Sequence, residues 1–185
     1  MTKHIIDDAG WLESVEVIES PNCDARPENT SIKLIVVHGI SLPPGEYGGG
    51  NIQKLFCNKL DPASHDYFAG ICDLRVSAHC LIERNGNIIQ FVSFLRRAWH
   101  AGVSCWQEEQ ACNDFSIGIE LEGVDDQAYE NAQYRSLSGL IDSLRSTYTD
   151  IQPDSICAHS EIAPGRKTDP GDAFDWDKLN RLIGA

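Results

Sequence analysis

The stretch from Ile32 to Val37 is apolar and rich in β-branched residues apart from Lys33, and it ends abruptly in His38-Gly39. A run of that length and composition reads as a buried strand. A strand that stops at a histidine delivers its imidazole to the strand's exit, a useful place for chemistry. Pro43-Pro44-Gly45 and Gly48-Gly49-Gly50 then mark a long loop, followed by a short helix expected over Ile52 to Lys59 and a second loop through Asp61 to Asp73.

Further strands follow from the same patterning. Asn85-Gly86-Asn87 is a turn signal between the strand-like runs His79 to Glu83 and Ile88 to Ser93, which makes them an antiparallel hairpin. From Phe115 to Leu121, Phe115, Ile117, Ile119 and Leu121 alternate with Ser116, Gly118 and Glu120, the pattern of a half-buried strand that turns Glu120 away from the core. Asp126 can cap a long amphipathic helix in which Ala128, Leu137, Leu140, Ile141, Leu144 and Tyr148 recur at helical spacing. A strand from Ser155 to Ala158 leads to His159, and Asp175 can cap a closing helix through Leu182. Strands followed by covering helices in irregular order predict an α/β chain of α+β-like character, a mixed central β-sheet with helices packed on it. With 185 residues, 42% of them hydrophobic, one domain over residues 1–185 is the expectation. The order of strands in the sheet does not follow from the sequence.

Composition narrows the partners. An excess of 28 Asp and Glu over 15 Lys and Arg gives a formal net charge of -13, which repels a phosphate backbone or an anionic membrane and keeps the protein soluble. Neither nucleic acid nor membrane is expected as a partner. The segment from Met1 to Val17 carries Asp7, Asp8, Glu13 and Glu16 and has no apolar core behind a basic start, and no segment approaches the roughly 20 apolar residues that cross a bilayer. The expected location is the cytoplasm. Seven cysteines without a C-x-x-C pair suit neither a disulfide framework nor a thiolate zinc site.

His38, His159 and Asp169 are oxygen or nitrogen donors at strand ends or in the adjoining loops. Two imidazoles and a carboxylate would fit a mononuclear zinc and leave the fourth position to water, as in catalytic sites. Their spacing alone carries no metal signature, since no H-E-x-x-H pattern is present.

Longer motifs add to this reading: Ser20-Pro21-Asn22 with Arg26-Pro27, the segment Val36 to Glu46 around His38-Gly39, and Asp66-Tyr67-Phe68. They continue in Arg75 to His79, in Arg97-Ala98-Trp99-His100-Ala101-Gly102, in Cys112 to Gly123, and in Gly165-Arg166-Lys167-Thr168-Asp169-Pro170-Gly171. Through these motifs the chain resembles, nearly end to end, the AmpD-type 1,6-anhydro-N-acetylmuramyl-L-alanine amidases of the zinc amidase-2 and peptidoglycan-recognition superfamily. The resemblance implies that family's fold and one zinc ion per chain on His38, His159 and Asp169. It also implies that Glu120 is the catalytic carboxylate and that Lys167 steadies the reacting oxygen. A carboxylate near a metal-activated water can take its proton, and an ammonium can stabilise the oxyanion that follows. The plainer alternatives are an exposed strand glutamate and a solvated loop lysine.

The implied substrate is an anhydro-muropeptide met in peptidoglycan recycling, cleaved between N-acetylmuramic acid and L-alanine, with no obligate protein partner. Arg75 and Arg166 are candidates for the stem-peptide carboxylates, with surface salt bridges as the alternative. Trp99 can lie against the sugar or belong to the core. His100, like His79, can line the cleft or hold a ligand in place, a satisfied strand histidine being the simpler reading of His79. Two positions depart from the pattern this resemblance implies: Gly39 stands where enterobacterial members carry asparagine, and Ala111 where arginine is common. Both touch expected substrate contacts. Two other functions stay open, a peptidoglycan-binding module without catalysis and an amidase that attacks the polymeric wall. Filled ligand positions speak against the first, the long motifs against the second.

Overall fold

In the computed structural model, which describes residues 3–184, the apolar run around Val36 becomes an interior strand, one from the edge, of a six-stranded sheet. Met1, Thr2 and Ala185, at the ends of the expected domain, lie outside the described residues. In chain order the strands are β1 (Glu16–Val17), β2 (Cys23–Ala25), β3 (Leu34–Ile40), β4 (Cys80–Ile82), β5 (Ile88–Gln90), β6 (Arg96–Ala98), β7 (Cys105–Trp106), β8 (Glu109–Gln110), β9 (Ser116–Glu122) and β10 (Ile156–Ala158). The α-helices are α1 (Asn51–Phe56), α2 (Asn131–Thr147), α3 (His159–Ile162) and α4 (Trp176–Ile183). The large sheet runs β1-β5-β4-β9-β3-β10, while β2 with β6 and β7 with β8 form two small ribbons.

The sheet is mixed, as the patterning predicts. β4 and β5 form the expected antiparallel hairpin, with Cys80 opposite Gln90 and Ile82 opposite Ile88. Every other neighbouring pair in the large sheet is parallel. Side chains alternate between its two faces. Ile35, Val37, Ile117, Ile119 and Leu121 join Leu137, Leu140, Ile141 and Leu144 of α2 and Leu179 of α4 in the largest core cluster. Leu34 and Val36 point the other way, into a cluster with Ala101, Phe115, Cys157 and Ile162.

Two local expectations are corrected. β9 is not half-buried: Glu120 is its one partly open position, because the strand lies between β4 and β3 and is covered on both faces. The covering explains Gly118, where an added Cβ would come within 2.4 Å of Cγ of His100. The long helix starts at Asn131 and not beside Asp126. Its start is fixed where Gln133 accepts a hydrogen bond from the Glu130 N–H and, through its buried amide, donates to the carbonyls of Ile82 and Glu122. Asp126 and Ala128 therefore stay in the preceding turn, and Tyr148 closes the helix instead of continuing it. The cap at Asp175 forms as expected, accepting from the Lys178 N–H.

The described residues contain no helix long and apolar enough to cross a membrane, and all seven thiols are free. The N-terminal segment is pinned to the sheet by buried Gln90, which accepts from the Leu12 N–H at 2.7 Å and donates to the carbonyls of Gly10 and Val92. Replacing Gln90 by Ala leaves buried partners unsatisfied, so the Gln90→Ala protein is expected to lose roughly 2–4 kcal/mol of stability. Urea unfolding checks this, and a loss within error of zero contradicts it.

Candidate active site

Parallel pairing sets the site. His38 on β3 is the register partner of Glu120 on β9, and Val37 pairs with Ala158, so His159 follows level with His38 as β10 ends. All three lie toward the carboxyl ends of neighbouring parallel strands, where open α/β sheets place their ligands. Asp169 arrives from the loop after α3, held by its carbonyl, which accepts from the Ser160 N–H at 3.1 Å.

The side chains converge. Nδ1 of His38 and Nδ1 of His159 are 2.9 Å apart, and Oδ2 of Asp169 lies 3.3 Å from the first and 3.0 Å from the second. Nε2 of His159 faces the Ala101 carbonyl at 3.2 Å. A carbonyl only accepts, so that nitrogen carries the proton and Nδ1 of the neutral ring is a bare lone pair. Burial lowers the pKa of His38 to about 4 and so keeps that ring uncharged at neutral pH. Lone pairs and a carboxylate that face one another repel, and a cation among them removes the repulsion. Two imidazole nitrogens and one carboxylate, with no thiolate, are the donor set of a catalytic zinc centre. The residues present therefore fit a metal ion.

Glu120 stands beside this set, Oε1 lying 4.0 Å from Nδ1 of His38. Its Oε2 is buried without a hydrogen-bond partner. Burial pushes the Glu120 carboxyl well above its ordinary pKa, and the charge of Asp169 adds to the rise while Lys167 opposes it. A carboxylate so poised is a proton acceptor in waiting.

A cleft of about 280 Å³ opens over these groups. His100, Glu120, His159, Lys167 and Asp169 form its polar wall, and Leu42, Tyr67, Leu74 and Val76 contribute apolar surface. A larger hollow of about 550 Å³, between Ser14–Glu16, the Asn85–Asn87 turn and α2, brings together no comparable donor set. Chemistry, not volume, singles out the smaller one.

The remaining residues chosen from sequence take different places. Lys167 is exposed at the cleft. Arg166 spends Nη2 on the carbonyls of Ala101 and Val103, at 2.5 and 2.6 Å. Trp99 is half-buried, and its indole N–H donates to Asp24, itself paired with Arg97. Arg75 is exposed between Leu74 and Val76 of the cleft. His100 lines the cleft and also reaches Nε2 of His38. His79 is fully buried, accepts from the Gly118 N–H and faces the Arg96 carbonyl, and burial lowers its pKa to about 3. It is a satisfied core histidine.

Sequence reading missed residues that hold this arrangement. Tyr129 donates to the carbonyl of Pro170, next to Asp169, at 2.9 Å. The tyrosine also accounts for Gly39, since a Cβ there would come within 2.3 Å of the Tyr129 hydroxyl oxygen. Asn113 uses one side-chain oxygen to accept from the N–H groups of both His100 and Ala101. Asn113 lies inside the Cys112 to Gly123 motif, but nothing local marks its role, and Tyr129 looks like an ordinary turn residue until the loops meet.

Comparison with known proteins finds relatives over nearly the whole chain. The sequence profile of the family described as N-acetylmuramoyl-L-alanine amidase matches residues 28–172. The chain is 53% identical over 176 residues to the 1,6-anhydro-N-acetylmuramyl-L-alanine amidase AmpD of Citrobacter freundii, covering 95% of this chain and 94% of that one. A crystal structure of a selenomethionine derivative of AmpD superposes with a TM-score of 0.93 at 52% identity, over 97% of this chain and 99% of that one. The amidase AmiD of Escherichia coli, in complex with the substrate anhydro-N-acetylmuramic acid-L-Ala-D-γ-Glu-L-Lys, superposes with a TM-score of 0.61 at 27% identity, over 96% and 65% of the two chains.

The raised pKa of Glu120 has a consequence for stability. In the metal-free protein the folded state holds a proton that the unfolded chain releases above its ordinary carboxyl pKa, so stability is present below that value and is lost as pH rises toward the raised one. The Glu120→Gln protein lacks this loss. Stripped of metal, it is expected to melt above the wild type near pH 7, with the difference closing toward about pH 4. Thermal unfolding at the two pH values tests this, and a variant that melts lower at pH 7 contradicts it.

Proposed function

The chain belongs to the N-acetylmuramoyl-L-alanine amidase family, and on that premise we propose how its site works: zinc is held by His38, His159 and Asp169, Glu120 moves the proton, and Lys167 stabilises charge. The activity is hydrolysis of the amide between 1,6-anhydro-N-acetylmuramic acid and L-alanine in muropeptides, the reaction of peptidoglycan recycling. The single observation that carries the site assignment is the convergence of three electron-pair donors beside a buried carboxylate whose Oε2 lacks a partner. Zinc bound there would supply Lewis acidity, easing deprotonation of water and polarising the scissile carbonyl.

The chain's own residues do the rest. Glu120, in its ionised form beside the three ligands, accepts a proton from the attacking water and passes it to the departing amine of L-alanine. The former carbonyl oxygen gains negative charge on the way, and the Lys167 ammonium at the cleft lies where it can stabilise it. Apolar surface from Leu42, Leu74 and Val76 keeps water from crowding the reacting groups. Arg75, exposed beside that surface, is free to pair with a stem-peptide carboxylate. Recycled fragments are small and soluble, so the same reading places the enzyme in the cytoplasm.

Removing a ligand and removing the base should separate. His159→Ala or Asp169→Ala is expected to lose both zinc and hydrolysis, whereas Glu120→Gln keeps zinc and falls about 10²-fold or more in turnover. Elemental analysis with a peptide-release assay reads both. Stoichiometric zinc in a ligand variant, or normal turnover in Glu120→Gln, overturns the assignment.

Substrate choice gives a second test. The anhydro bridge removes the free anomeric hydroxyl, and a cleft that leaves an extra polar group buried and unpaired discriminates by about 1–3 kcal/mol, roughly tenfold to a hundredfold. Anhydromuropeptides should therefore exceed matched reducing muropeptides in kcat/KM by that factor, and sacculi should be digested slowly. Equal rates, or efficient digestion of sacculi, would point to a wall-lytic amidase instead.

A further inference from the structure

Behind His38 a chain of hydrogen bonds runs away from the cleft. Nε2 of His38 lies 2.9 Å from Nδ1 of His100, Nε2 of His100 lies 3.1 Å from the Ser116 hydroxyl oxygen, and that hydroxyl donates to the Cys112 carbonyl at 2.5 Å. We propose that His100 and Ser116 are positioning residues that fix the tautomer of His38, with the proton on Nε2 and the Nδ1 lone pair turned toward Asp169 and His159.

The direction of each bond follows from its far end. A carbonyl can only accept, so the single hydroxyl proton of Ser116 is committed to Cys112. The Ser116 oxygen then accepts, and Nε2 of His100 must be the donor. A neutral imidazole carries one N–H, so Nδ1 of His100 is bare and takes the proton offered by Nε2 of His38. That leaves Nδ1 of His38 as a lone pair, which is the state a metal ligand needs.

The relay is built into the fold. The ring of His100 lies against Gly118, where a Cβ would intrude to 2.4 Å. The backbone of His100 and Ala101 is held by Oδ1 of Asn113, at 3.1 and 2.8 Å. Half-buried Arg26 in turn donates to the carbonyls of Asn113, Asp114 and Ser116. One short segment therefore governs both imidazoles: the His100 side chain orients His38, and the Ala101 carbonyl orients His159. Ser116 is fully buried at the entry of β9 and takes no part in the cleft wall, and His100 acts here through His38, in addition to its place on that wall.

The proposal rests on the reading of His38, His159 and Asp169 as a metal site, and the test separates the two. Long-range nitrogen–proton correlation spectra of the metal-free wild type should show protons on Nε2 of both His38 and His100. A proton on Nδ1 of either ring overturns the relay whether or not the protein takes zinc. Zinc affinity, read by competition with a chromophoric chelator, should fall about tenfold or more in Ser116→Ala and return toward wild type in Ser116→Thr, which keeps the hydroxyl. A purely structural serine would change melting temperature alone, so unchanged affinity in folded Ser116→Ala also overturns the proposal. A wild type that binds no zinc refutes the metal site, and the tautomers still decide the relay.

Discussion

The parallel register between β3 and β9 is the constraint from which the site follows. It sets His38 against Glu120, and through the next pair it brings His159 level with them. Because side chains alternate across a sheet, a slip of one residue would turn Glu120 into the core formed with α2 and α4, and would carry Ile119 to the cleft. The apolar content of Ile117, Ile119 and Leu121 makes that slip costly. The hydrophobic effect on one face thus fixes the position of the chemistry on the other.

The functional face is expensive to assemble. It gathers donors that repel one another and a carboxylate stripped of water, and such groups oppose folding unless something holds them. The supports lie one layer behind. Asn113 grips the His100–Ala101 segment, Arg26 grips the Asn113–Ser116 segment, and Arg166 ties the Ala101–Val103 loop to the turn that carries Asp169. None of these contacts faces the cleft. Their effect is to remove freedom from groups that must stay where mutual repulsion would disperse them.

Tyr129 couples two parts of the site that are distant in sequence. The position after the first histidine carries no side chain because the tyrosine's hydroxyl occupies that space while it binds the carbonyl beside Asp169. Room at position 39 and the placement of Asp169 are coupled through one aromatic ring. A substitution at either place acts on the other.

By itself the sequence determined the periodic elements and the chemistry they could carry. The apolar run before His38, the hairpin around Asn85-Gly86-Asn87, the alternation that turns Glu120 from the core and the cap at Asp175 are local signals, and the structure keeps all of them. The long motifs around His38, Glu120 and Asp169 marked the family and its reaction. Tertiary structure alone decided the rest. Strand order, the burial of β9 on both faces and the start of the long helix at Asn131 depend on neighbours distant in sequence. The same holds for His100 behind His38 and Tyr129 beside Gly39, where the partners are 62 and 90 residues apart along the chain. Local pattern encodes which way a side chain points, but not which loop will fill the space in front of it.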